Sequence, residues 1–300
     1  MSSVAKATDR EAGGDTFSFY GGRAVLKKRM YGTAPSFKRI DGTETILSIT
    51  RCTGKLDKSK ALIPWAVSLV STHISSHLES SQAPHFTRDE IVLLLGEAVL
   101  APDRAKEAGA DTGSMIHDYA HEFAQMKIDG KKGSPSLKHL DDGNEEHQKA
   151  LNGISAFLDW YNNNEVTFLE MEKLVYYNSL LNGDTREGQE VIEFYGFADL
   201  IARVNGKLAV VDYKSSKGIY NEQRYQVAGY KMAYNATVDS PMSVADLSLI
   251  VNFNKITGEL MTKEIAGTES ELDGEAFLGL YKVACRERTL EKEYKDSKKS

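Results

Sequence analysis

Leu208-Ala-Val-Val-Asp-Tyr-Lys214 is an apolar stretch that ends abruptly in two charges. An apolar run of this length suits a buried strand. Side chains alternate along a strand, so Asp212 and Lys214 point to one face and Tyr213 to the other. The dipeptide just before it, Asn205-Gly206, is a strong short-range signal of a two-residue hairpin. Its other arm is the strand-like stretch from Val191 to Val204. Pairing across that turn sets Val204 near Lys207 and Asp199 opposite Asp212, so two carboxylates and an ammonium meet at one place.

Outward from this hairpin, the elements alternate in kind. Val166 to Tyr177 reads as a strand, with a turn at Asn182-Gly183-Asp184. Asn221 to Ala236 reads as a helix, Leu247 to Asn254 and Glu259 to Ile265 as strands, and Leu272 to Tyr294 as a final helix. Upstream the pattern is helical: Ala61 to Leu78, Ile91 to Leu100 behind the capping box Thr87-Arg-Asp-Glu90, Thr112 to Met126, and Glu145 to Tyr161. Asp129 to Asn144 holds Gly130, Gly133, Pro135 and Gly143, and reads as a long loop. The expected fold is therefore α/β: a central mixed β-sheet flanked by helices, with an N-terminal helical region. The expected divisions are a loosely attached N-terminus over 1–20, a mainly helical region over 21–110 that covers the active centre, a core over 111–290, and a charged tail over 291–300. Trp65 and Trp160 lie on helical segments and read as core residues.

Composition narrows the function classes. The chain has 300 residues, 41% hydrophobic and 27% charged, as in an ordinary globular protein. No apolar run approaches the roughly 18–20 residues of a membrane span. The first 15 residues have no apolar h-region and carry Asp9, Glu11 and Asp15, which speaks against a secretory or mitochondrial leader. A soluble cytoplasmic protein with no membrane partner is the expectation. Two cysteines, Cys52 and Cys285, cannot hold an iron–sulfur cluster or a zinc by four thiolates. Net charge is −6, so basic surface for a polyanion has to be local. Lys27, Lys28 and Arg29 form one candidate cluster, and Lys127, Lys131 and Lys132 another. There is no Gly-x-x-x-x-Gly-Lys-Ser/Thr and no Gly-x-Ser-x-Gly, so neither a P-loop motor nor a serine hydrolase is indicated.

Two like charges at the edge of a core need neutralising. Lys214 supplies one positive charge, and a divalent cation would supply the rest. Oxygen donors suit Mg²⁺, with Mn²⁺ as a substitute, and the Tyr213 carbonyl is a further candidate ligand. The plain alternative is a surface hairpin with a cross-strand ion pair. Other residues fall into place beside the hairpin. Gln226 and Tyr230 are four apart on one helix face. Gly113-Ser-Met-Ile-His117 puts His117 on the inner face of its helix. Glu170 and Glu172 are expected on one face of their strand. His117 and His121 lack the intervening pattern of a zinc site, and His121 reads as packing or surface.

Taken in order, Gly113 and His117, Gly196 and Asp199, Asp212 and Lys214, then Gln226 and Tyr230 resemble the motifs of the RecB-like branch of the PD-(D/E)XK nucleases. The segment from Thr50 to Ala66 is similar to mitochondrial genome-maintenance and phage exonucleases of that branch. The resemblance implies a restriction-endonuclease-like core and a Mg²⁺-dependent deoxyribonuclease, an exonuclease acting on DNA that is single-stranded or has free ends. It implies metal binding by Asp199, Asp212 and the Tyr213 carbonyl, with His117 added. Lys214 would act on the attacking water, and Gln226 and Tyr230 would position the strand. Glu172 matches a glutamate on an early core strand. The absence of a four-cysteine staple points to members without an iron–sulfur cluster. The implied setting is phage or bacterial DNA recombination, replication or degradation, with a recombination or replication protein as partner. A structure-specific endonuclease and a non-catalytic nucleic-acid-binding or assembly subunit are the alternatives.

Overall fold

The computed structural model describes residues 16–298 except 32–33, 43, 82–84 and 187. It begins with a three-stranded antiparallel sheet: β1 (Thr16–Phe19), β2 (Ala24–Tyr31) and β3 (Ala34–Arg39). Next come the two-residue β4 (Leu47–Ser48), α1 (Ile49–Thr53), α2 (Ser59–Ser80), α3 (Arg88–Val99), α4 (Ala101–Ile128) and α5 (Glu145–Asn162). The main strands and their helices follow: β5 (Val166–Asn178), the short α6 (Ser179–Asn182), β6 (Glu193–Val204), β7 (Lys207–Lys214), α7 (Asn221–Asn235), β8 (Leu247–Phe253), β9 (Leu260–Ile265) and α8 (Gly267–Ser297).

The main sheet is mixed. β5 lies antiparallel on one side of β6, and the other side leads through β7 and β8 to β9; β7–β8 and β4–β6 are parallel, and the other pairs among the described residues are antiparallel. Asn205 and Gly206 both have positive φ, 50° and 82°, as a two-residue hairpin with the twist of its strands requires. Helices cover both faces. Ile116, Phe123, Phe157 and Trp160 of α4 and α5 pack on Val211, Tyr213, Leu249 and Val251. Val227, Tyr230, Phe277 and Tyr281 of α7 and α8 pack on Val210, Ile250, Ile201 and Phe194. This is the mixed sheet between helices that the sequence pattern predicts, and the double covering explains the continuous apolar runs Leu208–Val211 of β7 and Leu249–Val251 of β8.

The N-terminal expectations need correcting. Residues 21–110 do not begin as helix: β2 and β3 of the antiparallel sheet come first, and Thr16–Phe19 is a strand rather than part of a loose terminus. Residues 1–15 lie outside the described residues. The strands form because Ala24, Leu26 and Phe37 alternate inward onto Tyr176 and Tyr195. The tail also differs, since α8 continues as helix through Ser297. Trp160 is buried, whereas Trp65 is 37% exposed, on an α2 that buries none of its residues. Among the described residues, no helix is long and apolar enough to cross a membrane.

Candidate active site

β6 is the strand on which the site is built. On the side away from β5, β4 pairs with its residues 194–195 and β7 with its residues 200–204. The stretch 196–199 between them has no strand partner there. The β6–β7 register runs from Val204·Lys207 to Leu200·Val211, and its next pair would be Asp199 with Asp212. The ladder stops at that point, and the Asp199 side chain takes over: its Oδ2 accepts the backbone N–H of Tyr213 at 2.7 Å.

The same place breaks the alternation of β5. Glu172 has φ 45°, and a register irregularity lies between Phe168 and Glu170. Met171 and Leu200 pack with the α4–α5 layer, yet Val175 and Ala198, which unbroken alternation would put on that side too, pack with α7 and α8. Sidedness thus reverses at Glu172 and Asp199. This overturns the expectation that Glu170 and Glu172 share a face. Glu170 Oε2 pairs with Lys173 Nζ at 2.5 Å, whereas Glu172 opens onto a small cleft that His117, His121, Asp199 and Tyr213 also line.

Asp212 and Lys214 project together. Lys214 Nζ comes within 2.5 Å of Asp212 Oδ2. The approach is a charge contact rather than an aligned hydrogen bond, because Oδ2 is buried without a hydrogen-bond partner among the described residues. Asp212 is 1% exposed, and burial raises its pKa to about 6, with Lys214 opposing the shift and Asp199 adding to it. Burial also raises Asp199, with Lys214 and the Tyr213 N–H opposing and Glu172 adding. For Lys214, burial works against the charge, but the two carboxylates prevail and hold its pKa above the ordinary value. His117 Nδ1 lies 4.0 Å from Asp199 Oδ2, and its pKa is lowered by burial and by Lys214, leaving a neutral imidazole near pH 7.

α7 brings in the other pair. Gln226 Nε2 donates to Tyr230 Oη at 2.7 Å. Burial and the carboxylates Asp212 and Asp199 all raise the pKa of that phenol. Tyr230 sits directly under Gly196, where a Cβ would come 2.5 Å from its Cε1. So the residues expected from the sequence as the site, His117, Asp199, Asp212, Tyr213, Lys214, Gln226 and Tyr230, come together around the end of the β6–β7 ladder. Sequence reasoning missed the polar network that fixes the loop after Lys214. Ser216 donates its N–H (3.0 Å) and Oγ (2.9 Å) to Asn252 Oδ1, and Asn252 Nδ2 returns a bond to the Ser216 carbonyl. Gln223 Nε2 donates to Ser216 Oγ at 3.1 Å. The signal available in the sequence was an amide, Asn252, in a β8 whose only other polar residue is Ser248.

The donor set fits a hard divalent cation in chemistry: the buried Asp212 carboxylate, the half-buried Asp199 carboxylate, a neutral imidazole, and an Asp212 oxygen without an aligned hydrogen bond. Asp199, Asp212 and His117 are the side chains that would hold it. Among the described residues no three His, Cys, Asp or Glu side chains already converge as a metal-holding group; in this arrangement Lys214 is the cation on Asp212.

The solved crystal structure of SSO0001 is similar at 15% identity, covering 73% of this chain and 84% of that one, with a TM-score of 0.29, too loose a superposition to carry a comparison of folds. A search among curated proteins finds no match. The model of the PD-(D/E)XK nuclease superfamily matches residues 85–295, a span that takes in α4, β5, the β6–β7 hairpin and α7. With that match over most of its length, the chain belongs to the PD-(D/E)XK nuclease superfamily.

Proposed function

We propose that this chain is a Mg²⁺-dependent DNA exonuclease that hydrolyses phosphodiester bonds from DNA ends, acting on single strands. The observation that carries the reading is the end of the β6–β7 ladder, where Asp199, Asp212 and Lys214 meet beside a neutral His117. Uncatalysed phosphate-ester hydrolysis is very slow, and general acid–base catalysis supplies only roughly 10²–10⁴-fold. A divalent cation held by Asp199 and Asp212, with His117 and the Tyr213 carbonyl, would polarise the phosphoryl oxygen and acidify a bound water. The protein's own groups have distinct tasks. Lys214, kept protonated by its two carboxylates, is a donor at neutral pH: it orients the attacking water and meets negative charge growing on the phosphoryl oxygens. Gln226 and Tyr230 brace the underside of the site through their mutual hydrogen bond.

The preference for ends has a topological support. The chain leaves the core at Lys58, whose Nζ pairs with Glu222 Oε1 of α7 at 2.9 Å. It rejoins along α4, where Lys255 Nζ donates to the Gly109 carbonyl at 2.5 Å and Gly113 lies against Ser215. These anchors sit on opposite faces of the sheet, beside the C-terminal end of β7. In the proposed reading the intervening α2 and α3 bridge over that end, and a DNA strand enters beneath them by its terminus. The resemblance to RecB-like nucleases supports a role in phage or bacterial DNA recombination, replication or degradation, alongside a recombination or replication protein in the cytoplasm.

The test is digestion of end-labelled single-stranded, linear duplex and closed circular DNA with Mg²⁺, Mn²⁺ or EDTA, beside Lys214→Ala. Metal-dependent loss of linear substrates, intact circles and an inactive variant are expected. Cut circles would make the chain an endonuclease. No cleavage under any condition would make it a binding or assembly subunit.

A further inference from the structure

We propose that the outer face of the N-terminal sheet is a docking surface for the DNA backbone, gripping the stretch of DNA that flanks the scissile phosphate; the inference rests on the nuclease reading above. Alternation decides which side chains form that face. Ala24, Leu26 and Phe37 turn inward and are buried. Lys27 and Arg29 on β2, and Ser36 and Lys38 on β3, therefore turn outward. Lys27 lies directly opposite Lys38 on one side and Thr16 on the other, and Arg29 lies opposite Ser36.

Like charges placed directly across a ladder are destabilising. A neighbouring carboxylate would offset this, but none of the outward positions of the three strands is Asp or Glu. None of Lys27, Arg29 and Lys38 has an ion-pair partner among the described residues, in a chain where acids outnumber bases 43 to 37. The second basic cluster is different. Lys127 donates to the Gly133 carbonyl at 2.9 Å and lies 4.6 Å from the Phe123 ring centre, and Lys131 pairs with Asp129. That cluster is engaged within the protein. The outer face of the sheet keeps three cations, interspersed with hydroxyls of Thr16, Ser18 and Ser36, which is the donor chemistry that meets a row of phosphates.

Its location suits the purpose. On the inner face Phe37 stacks edge-on against Tyr195 at 4.8 Å and approaches Phe197 at 6.0 Å, and Tyr195 Oη donates to the Pro35 carbonyl at 3.1 Å. Phe197 is two residues before Asp199 on β6. Stacked sheets lie about 10 Å apart and a strand advances about 3.3 Å per residue. The outer face is therefore on the order of 20 Å from the active centre, about six steps of DNA at 3.4 Å each. DNA held there by phosphates is held without regard to sequence.

The experiment compares the native protein with Lys27→Glu/Arg29→Glu/Lys38→Glu and with the neutral Gln triple variant, circular dichroism first confirming the fold. Binding of fluorescent linear DNA is measured by anisotropy in EDTA over a salt series, and cleavage is measured with Mn²⁺ or Mg²⁺. The charge-reversed variant should bind at least about tenfold more weakly at low salt, with a log–log salt slope reduced by about 2–3. Its KM for long DNA should rise, while turnover of an oligonucleotide of about four nucleotides, too short to reach the sheet, stays native. Native affinity and an unchanged salt slope in the charge-reversed variant would overturn the docking surface. If the native protein cleaves nothing, the nuclease reading fails instead, and the binding comparison in EDTA still decides the surface.

Discussion

The Asp199 carboxylate accepts the backbone N–H of Tyr213 at 2.7 Å, where the β6–β7 ladder ends one pair short of Asp212. One oxygen thus takes the place of a ladder carbonyl, and the group still faces the cleft. Structure and chemistry at this position separate by substitution. Asn at 199 keeps an acceptor, so its melting temperature should stay close to native. Ala leaves the Tyr213 N–H without its acceptor and should cost about 1–3 kcal/mol. Both should lower cleavage by more than about 100-fold, beyond the scale of outer-shell changes at metal sites. Thermal melts beside a linear-DNA digestion read the two effects. An active Asp199→Asn variant would remove the carboxylate from the chemistry.

Gly196 is required by a close approach rather than by a turn. A Cβ there would lie 2.5 Å from Tyr230 Cε1 and 2.9 Å from Ile49 Cδ1, both packed side chains. Gly196→Ala should therefore push Tyr230 away from its place beneath the carboxylates. Overpacking of this kind costs about 1–3 kcal/mol. The expected result is a lowered melting temperature and a reduced kcat at nearly native KM. A variant with native melting and kcat would show that the floor of the site yields without consequence.

Much of this was legible in the sequence because it is local. The register of Asp199 against Asp212 follows from the Asn205-Gly206 turn, and the pairing Val204·Lys207 to Leu200·Val211 agrees with it. Apolar periodicity located α4, α5 and α7 to within a turn or so, apart from an α4 that begins earlier, at Ala101. What escaped depends on contacts distant in the chain. The strands over 16–39 bury only one face, against β5 and β6, and the run Lys27-Lys28-Arg29 hides their alternation. Glu170 and Glu172 part company because Glu172 takes φ 45°, a conformation that no spacing rule for a regular strand anticipates. Trp65 looks like a core residue by composition alone, but it lies off the half-buried stripe Ala66, Leu69, Val70, His73 and Ile74 through which α2 meets α3 and α4.

The raised pKa values give metal binding a pH dependence of known sign. Asp212 is held at about 6 in the folded protein, above its ordinary range, chiefly by burial. Its contribution to metal-free stability is full below the unfolded value and is lost as pH rises through about 6. A cation needs the carboxylate form and relieves that loss. Binding should therefore weaken as pH falls, by about tenfold between about pH 7.5 and pH 5 from Asp212 alone. Asp199 acts in the same direction, being raised by burial as well. Titration calorimetry with Mn²⁺ at the two pH values measures this, and an affinity flat across them would exclude Asp212 as a ligand.

Asn252 offers a test of how far positioning extends beyond the charged groups. It is fully buried on β8, opposite Lys214 in the parallel register, and uses both ends of its amide on Ser216. Asn252→Asp keeps shape and acceptor, but replaces the donor to the Ser216 carbonyl with a second acceptor. A buried carbonyl then faces a carboxylate that burial and repulsion drive toward protonation. Because Ser216 also accepts from Gln223, the disturbance reaches the start of α7. Loss of one such bond in a buried network should cost about 1–3 kcal/mol. At neutral pH the loop after Lys214 should loosen and kcat should fall about 10–100-fold, the range seen when outer-shell partners are removed. Lowering the pH should restore part of the loss, since the protonated form of the introduced carboxyl offers an O–H in place of the missing N–H. Asn252→Leu has no proton to regain and should stay impaired at every pH. A kcat ratio between the Asn252→Asp and native proteins that stays constant with pH would mean that the network only fills space.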